Sequence, residues 1–177
     1  MTSSEVWKSF EENEVTHSVA HHLTAIGELL DRNGYARGAD VARQLCITRG
    51  SASLTLKTLK ERDLVLEDEN KFLRLSPVGQ RVVDTVKVKR AIVRKFLRDG
   101  LRVDPDQAEI DACKVEHLLS RQTSDKLLHL VRFLLSDNPV AASFLEAFWQ
   151  ETDLCHDLAN CALCDRECLA NLGQASV

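Results

Sequence analysis

Three observations predict a mainly α-helical chain with one β-hairpin. Apolar residues recur at helical spacing over most of the sequence; two short helical stretches, 39–45 and 51–65, flank the tight turn CITRG; and one pair of alternating apolar runs follows directly. Two short helices and a hairpin make a winged helix-turn-helix. The expected order is an acidic segment (1–14), a winged-helix domain (15–84), an all-helical domain (85–152) and a Cys-rich helical tail (153–177).

Each element has a local reason. Residues 15–33, VTHSVAHHLTAIGELLDRN, have helical periodicity, and Gly34 is a natural terminator. ADVARQL reads as the first short helix and SASLTLKTLKERDLV as the second. LVLEDENKFLRL alternates apolar residues on both sides of the polar turn 67–70, which is a hairpin pattern. Ser76 and Pro77 restart the chain as helix, with Ser76 as N-cap and Pro77 at the first helical position; this helix is expected to reach Arg98, with Gly100 closing it. Asp104 with Pro105, Ser124 with Asp125, and Asn138 with Pro139 open three more helices.

Bulk composition narrows the class. A 177-residue chain with 44% hydrophobic residues has enough apolar material for a core. The first fifteen residues lack an apolar export segment, and the most hydrophobic later run, LLHLVRFLL, is short and interrupted by Arg132. These features predict a cytoplasmic protein with no membrane partner. The net charge of −4 hides a division: residues 1–35 carry −4, residues 36–102 carry +8 and residues 103–177 carry −8. A basic middle segment suits a polyanion, and a solvated helical face is the alternative.

In a helix-turn-helix the second helix enters the DNA major groove with its early residues toward base edges and phosphates. Here it would present Thr48, Arg49, Ser51, Ser53, Thr55 and Lys57, with Lys71 and Arg74 of the wing adding backbone contacts. Thr48 and Ser51 also suit helix capping. Double-stranded DNA is thus the expected partner, although winged helices also serve as docking modules.

The segment DACKVEHLLSRQ places a thiol, a carboxylate and an imidazole at Cys113, Glu116 and His117, three and four residues apart. On a helix that spacing brings all three to one face, as metal ligation requires.

IGELLDRNGYARGADVARQL, SLTLKTLKERDLV, LSPVGQ and DACKVEHLLS together resemble the metal-dependent transcriptional repressors of the diphtheria-toxin-repressor and manganese-transport-regulator type, over about residues 15–135. The resemblance implies a homodimer, with residues 85–152 as its dimerisation and metal-binding domain, that binds palindromic operators when a divalent metal is present. It also implies a further ligand about five residues before an Ile-x-x-Leu pair, here Ile26 and Leu29, which falls on His21. The implied ligand set is His21, Cys113, Glu116 and His117. His17 and His22, which flank His21, read as surface imidazoles, with an outer-shell position as the alternative for His17, one turn before His21.

Two departures from the family matter. The positions that supply an ancillary metal site hold Arg90 and Arg94, so that site is expected to be absent, and either arginine is a candidate partner for Glu116 or Glu109. Thr24 replaces a carboxylate of the manganese-sensing branch. With the Cys113 thiol, this shifts the expected ion from Mn²⁺ to Fe²⁺, with Zn²⁺ or Co²⁺ as competitors.

Cys155, Cys161, Cys164 and Cys168 lie within fourteen residues. The span is too compact for a zinc ribbon, which separates two Cys pairs by a dozen or more residues, and the x2 and x3 intervals resemble those of iron-sulfur proteins, so an iron-sulfur cluster is expected, with a four-cysteine zinc site as the alternative. A continuous helix would put Cys155 opposite the other three, so common ligation needs a break near Asp157–Asn160. Cys46 reads as a small buried hydrophobe. No nucleophile, base and orienting group can be assembled around the tail, so the expectation is a metal-responsive regulator rather than an enzyme. The rivals are a metal-independent winged-helix regulator with a structural zinc tail, and an electron-transfer protein that docks through its winged helix.

Overall fold

The computed structural model describes residues 15–151. The acidic segment 1–14 and the four-cysteine motif therefore lie outside the described residues. Compact packing divides the chain after Val131.

In the first unit, helix α1 (His17–Asn33) starts where the Thr16 hydroxyl accepts from the Val19 amide, and it ends at Gly34, whose φ of 77° is the left-handed conformation glycine adopts without a Cβ penalty. Helix α2 (Gly38–Gln44) and helix α3 (Arg49–Glu61) form the helix-turn-helix. The Thr48 hydroxyl accepts from the Ser51 amide at 3.1 Å and caps α3. Removing that bond in Thr48→Ala is expected to lower unfolding stability by about 1 kcal/mol, read as a reduced urea midpoint with an unchanged m-value.

Strands β1 (Val65–Glu67) and β2 (Leu73–Leu75) pair antiparallel, Val65 opposite Leu75 and Glu67 opposite Leu73. Asp68 shapes the turn, its carboxylate accepting from the Asn70 and Phe72 amides at 2.9 Å each. The Leu73 amide donates to the Ala36 carbonyl at 2.8 Å and ties the wing to the chain before α2. Leu23, Ile26, Val41, Leu59, Val65 and Val83 fill the core beneath these elements. Full burial of each such side chain contributes about 1.5–3 kcal/mol.

Helix α4 (Pro77–Lys95) is capped by the Ser76 hydroxyl, which accepts from the Gly79 amide at 3.0 Å. Residues Phe96–Gly100 continue it as a wider π turn, so the expected α-helix to Arg98 stops three residues early. Helix α5 (Pro105–Val115) follows, with the Asp104 carboxylate accepting from the Asp106 and Gln107 amides.

Helix α6 (Arg121–Leu134) starts three residues before the expected Ser124. Ser120 provides the cap, its hydroxyl accepting from the Thr123 amide at 3.1 Å, while the Ser124 hydroxyl donates to the Ser120 carbonyl at 2.8 Å from inside the helix. In the second unit, helix α7 (Pro139–Gln150) is capped by Asn138 as the sequence implies. Among the described residues the fold is helical apart from the two short strands, and no helix there is long and apolar enough to cross a membrane.

Two side chains depart from expectation. Cys46 is exposed rather than buried, because it takes φ 55° in the turn after α2 and its thiol faces the Arg43 carbonyl at 3.9 Å. His22 is buried at 4% exposure rather than at the surface, since it shares the inner face of α1 with Val19 and Ile26; its Nδ1 lies 2.7 Å from the Ser18 carbonyl oxygen.

Candidate metal centre and nucleic-acid interface

Helix α1 and the C-terminal end of α5 bring together His21, Cys113 and Glu116, whose ligand atoms all lie within 4.8 Å of one another. The His21 Nε2 and Cys113 Sγ atoms are 3.2 Å apart. Glu116 follows the last residue of α5, is 2% exposed, and has Oε2 buried without a hydrogen bond. A carboxylate oxygen kept from water with no donor is costly unless a cation or a proton balances it.

The fourth predicted ligand, His117, lies outside this triad. Its ring is 5.1 Å from that of His17, and it lines a separate cleft of about 270 Å³ with Arg81, Thr85 and Lys89. His17 is exposed on α1, as a surface imidazole is expected to be, and its ring lies 4.2 Å from that of His21.

The electrostatics follow from burial. Burial pushes the Glu116 carboxyl up to about 7, with Arg90 opposing and Glu109 adding to the rise. Burial likewise raises the Cys113 thiol, again against Arg90. Burial lowers His21, helped by His17 and Arg90, so its imidazole remains neutral and free to ligate. An imidazole nitrogen, a thiol sulfur and a carboxylate oxygen suit a divalent transition ion, and the orphaned Glu116 oxygen supplies the charge such an ion needs. The donor set therefore fits a metal.

The arginines pair as the sequence allowed. Arg90 reaches both Glu109, at 2.5 Å, and Glu116, at 3.8 Å; Arg94 binds Glu109 at 3.1 Å. A cavity of about 240 Å³ beside the triad is lined by His21, Thr24, Glu28, Gln44, Arg90 and Glu116. Within it the Gln44 amide donates to the Glu28 carboxylate at 2.6 Å, joining α2 to α1.

On the helix-turn-helix, Arg49, Ser51, Ser53 and Lys57 of α3 are exposed, as are Thr48 at its cap and Lys71 and Arg74 of the wing; Thr55 is half-buried. Thr48 caps as well as faces outward. The Ser51 hydroxyl takes no part in the cap, since only its backbone N–H donates there. A cleft of about 360 Å³ between helices and wing gathers Arg49, Ser53 and Lys71 with Arg37 and Lys60, two cations outside the helix-turn-helix and wing positions expected to contact DNA. Arg37 stacks 4.3 Å above the Phe72 ring. Its only sequence signal was membership of the basic middle segment.

A family model described as "Iron dependent repressor, metal binding and dimerisation domain" matches residues 76–140. The HTH-type transcriptional regulator MntR of Lysinibacillus sphaericus is 27% identical over 132 residues, which cover 75% of this chain and 94% of that protein. MntR of Listeria monocytogenes is 26% identical over 75% of this chain and 92% of its own length. Among solved structures, the manganese regulator SloR shares the fold at a TM-score of 0.58 and 24% identity, covering 63% of this chain and 52% of that one. IdeR of T. acidophilum does so at 0.56 and 23%, covering 66% and 54%. This chain thus spans about half the length of either solved protein.

Proposed function

We propose, for a chain that belongs to the family of metal-dependent transcriptional repressors of the diphtheria-toxin-repressor and manganese-transport-regulator type, that it is a homodimeric, iron-responsive repressor whose operator binding depends on the His21, Cys113 and Glu116 site. The chain's relatives are regulators rather than enzymes. Residues 15–84 act as the winged-helix domain that contacts double-stranded DNA, and residues 85–152 as the dimerisation and metal-binding domain. The observation that carries this reading is the convergence of three donors from α1 and α5 on one point.

His21, Cys113 and Glu116 would hold the ion, with His117 as a fourth donor if its ring turns toward them. When bound, a divalent ion supplies the positive charge that balances a thiolate and a buried carboxylate. The chain's own part is to place those donors on two elements whose relative position matters for DNA binding. A ligand that favours one arrangement shifts the population toward it, and a coupling of about 1–3 kcal/mol gives roughly five- to 150-fold regulation. Thr48, Arg49, Ser51, Ser53, Thr55 and Lys57, with Lys71 and Arg74 of the wing, are assigned to DNA contact, the cations mainly to phosphates.

The thiol and the absence of a carboxylate at Thr24 favour Fe²⁺ over Mn²⁺, although the relatives include manganese regulators. The tail cysteines Cys155, Cys161, Cys164 and Cys168 are assigned to an iron-sulfur cluster on their spacing alone. Iron, zinc, manganese and acid-labile sulfide are to be measured per chain in protein purified without oxygen. Iron with matching sulfide, lost in a Cys161→Ser, Cys164→Ser double variant, supports the cluster; zinc without sulfide assigns the tail to zinc. A second reading, a metal-independent dimer in which arginine replaces the ion, is favoured by the Arg90 to Glu116 pair. In that case chelators leave DNA binding unchanged.

Metal affinity should also depend on pH. Ligation requires Glu116 and Cys113 to release their protons, and both groups hold them more tightly than usual. Apparent affinity is therefore expected to rise from pH 6 to pH 8, about tenfold per proton released for each pH unit below the group's pKa. A calorimetric titration in two buffers of different ionisation enthalpy counts those protons.

A further inference from the structure

Arg90 stands where a second positive charge is hardest to accommodate. It projects from α4, 30% exposed, with its guanidinium on Glu109 and its Nε 3.8 Å from the Glu116 oxygen that has no hydrogen bond. Arg94 holds the other side of Glu109 at 3.1 Å, which fixes the acidic anchor of Arg90. Both carboxylates come from the α5 segment that carries Cys113, and Arg90 also lines the cavity beside His21. A guanidinium remains charged at every physiological pH, so this cation cannot leave by losing a proton.

We propose that Arg90 is a resident counter-cation of the metal site: it balances Glu116 in the ion-free chain, competes with a divalent ion for that carboxylate, and thereby sets the metal concentration at which the regulator responds. This inference rests on the metal reading above and deepens it. Because Arg90 lies on α4, release of Glu116 frees a contact between α4 and α5, so occupancy is registered at the helix leading directly from the wing. A fixed guanidinium sharing Glu116 with a divalent ion would repel that ion strongly at the effective dielectric of a partly buried site. Removing the fixed charge is therefore expected to tighten ion binding by roughly tenfold to a hundredfold.

The test is a cobalt(II) titration of the full-length, ion-free dimer, read by thiolate-to-cobalt absorbance. The part of the signal lost in Cys113→Ser is assigned to this site, which removes the contribution of the tail thiols. Wild type, Arg90→Gln and Arg90→Lys are compared, with thermal melts of the ion-free proteins confirming that each folds. Arg90→Gln is expected to bind at least tenfold more tightly, and Arg90→Lys, which keeps the charge but loses the fork, to remain near wild type. Equal affinity for wild type and Arg90→Gln, or equally tight binding by Arg90→Lys and Arg90→Gln, overturns the role of Arg90 and leaves the metal site standing. A Cys113-dependent signal in Arg90→Gln alone supports the proposal in its strongest form. Absence of that signal from all three proteins overturns the metal reading and this inference together.

Discussion

Replacing Glu116 by Gln is expected to abolish metal-responsive DNA binding while making the ion-free protein more stable than wild type at pH 8. The two effects share one cause. Glu116 is 2% exposed, and burial raises its carboxyl to about 7. A carboxyl whose folded-state pKa lies above its unfolded value favours folding below the unfolded value and loses that contribution as pH rises through about 7. At pH 8 the wild-type chain holds a charged carboxylate in a site that disfavours it. The neutral amide removes this penalty, for an expected gain of about 1–3 kcal/mol that vanishes near pH 4. The same substitution replaces a charged carboxylate donor, the only one besides the thiolate, by a weak neutral amide oxygen, so metal affinity is expected to fall about a hundredfold or more. Urea unfolding at pH 4 and pH 8, with a metal titration of the folded variant, reads both effects. Equal stability at the two pH values relative to wild type would show that Glu116 is not held protonated by burial.

The second large effect is expected far from the metal donors. A Cβ built on Gly79 would lie 2.1 Å from the Leu64 carbonyl oxygen, well inside van der Waals contact with backbone that cannot swing aside. That carbonyl also accepts from the Ser76 amide at 3.0 Å, so it is fixed where the wing meets α4. Gly79→Ala must push α4 away from β1 or break that bond, at an expected cost of about 3 kcal/mol or more. Against a typical domain stability of roughly 5–15 kcal/mol, this should lower the melting temperature by many degrees and weaken DNA binding even with metal present. Gly50→Ala, whose added Cβ has only Thr48 Oγ1 near it, at 3.9 Å, is the matched control and is expected to behave as wild type.

Helix termini were legible in the sequence because capping is local: Ser76 with Pro77, Asp104 with Pro105 and Asn138 with Pro139 each hold the amide of a residue two or three positions on. The start of α6 is not legible in the sequence because Ser120 and Ser124 can both cap, and which one does so depends on where the turn after α5 ends. The polar His21 beside it suggests a surface position for His22, whereas its three-residue spacing from Val19 sets it on the inner face of α1. The exposure of Cys46 is hidden for a different reason, since a left-handed turn residue breaks the periodicity that signals burial. Cys113 and Glu116 are legible as donor types at a helical spacing, whereas His21 follows only from the family resemblance. The burial of Glu116 and the turning of His117 toward His17 are not legible, because they arise where α5 ends and how it packs on α1 and α4. Arg90 and Arg94 were readable as charges out of place for ligands, and their pairing with Glu109 and Glu116 required the crossing of α4 with α5.

The ion proposed at His21, Cys113 and Glu116 is expected to control DNA binding. The most direct test of that control is fluorescence anisotropy of a labelled duplex, selected from a random pool by the full-length protein, measured without oxygen at fixed salt. Wild type is titrated with saturating Fe²⁺ and then with a chelator, and Glu116→Gln is run in parallel. The expected result is at least fivefold tighter binding with Fe²⁺, reversed by the chelator and missing in Glu116→Gln. Equal affinity of the iron-loaded and chelator-treated wild type would contradict the claim and leave a DNA-binding dimer in which Arg90 has taken the ion's place.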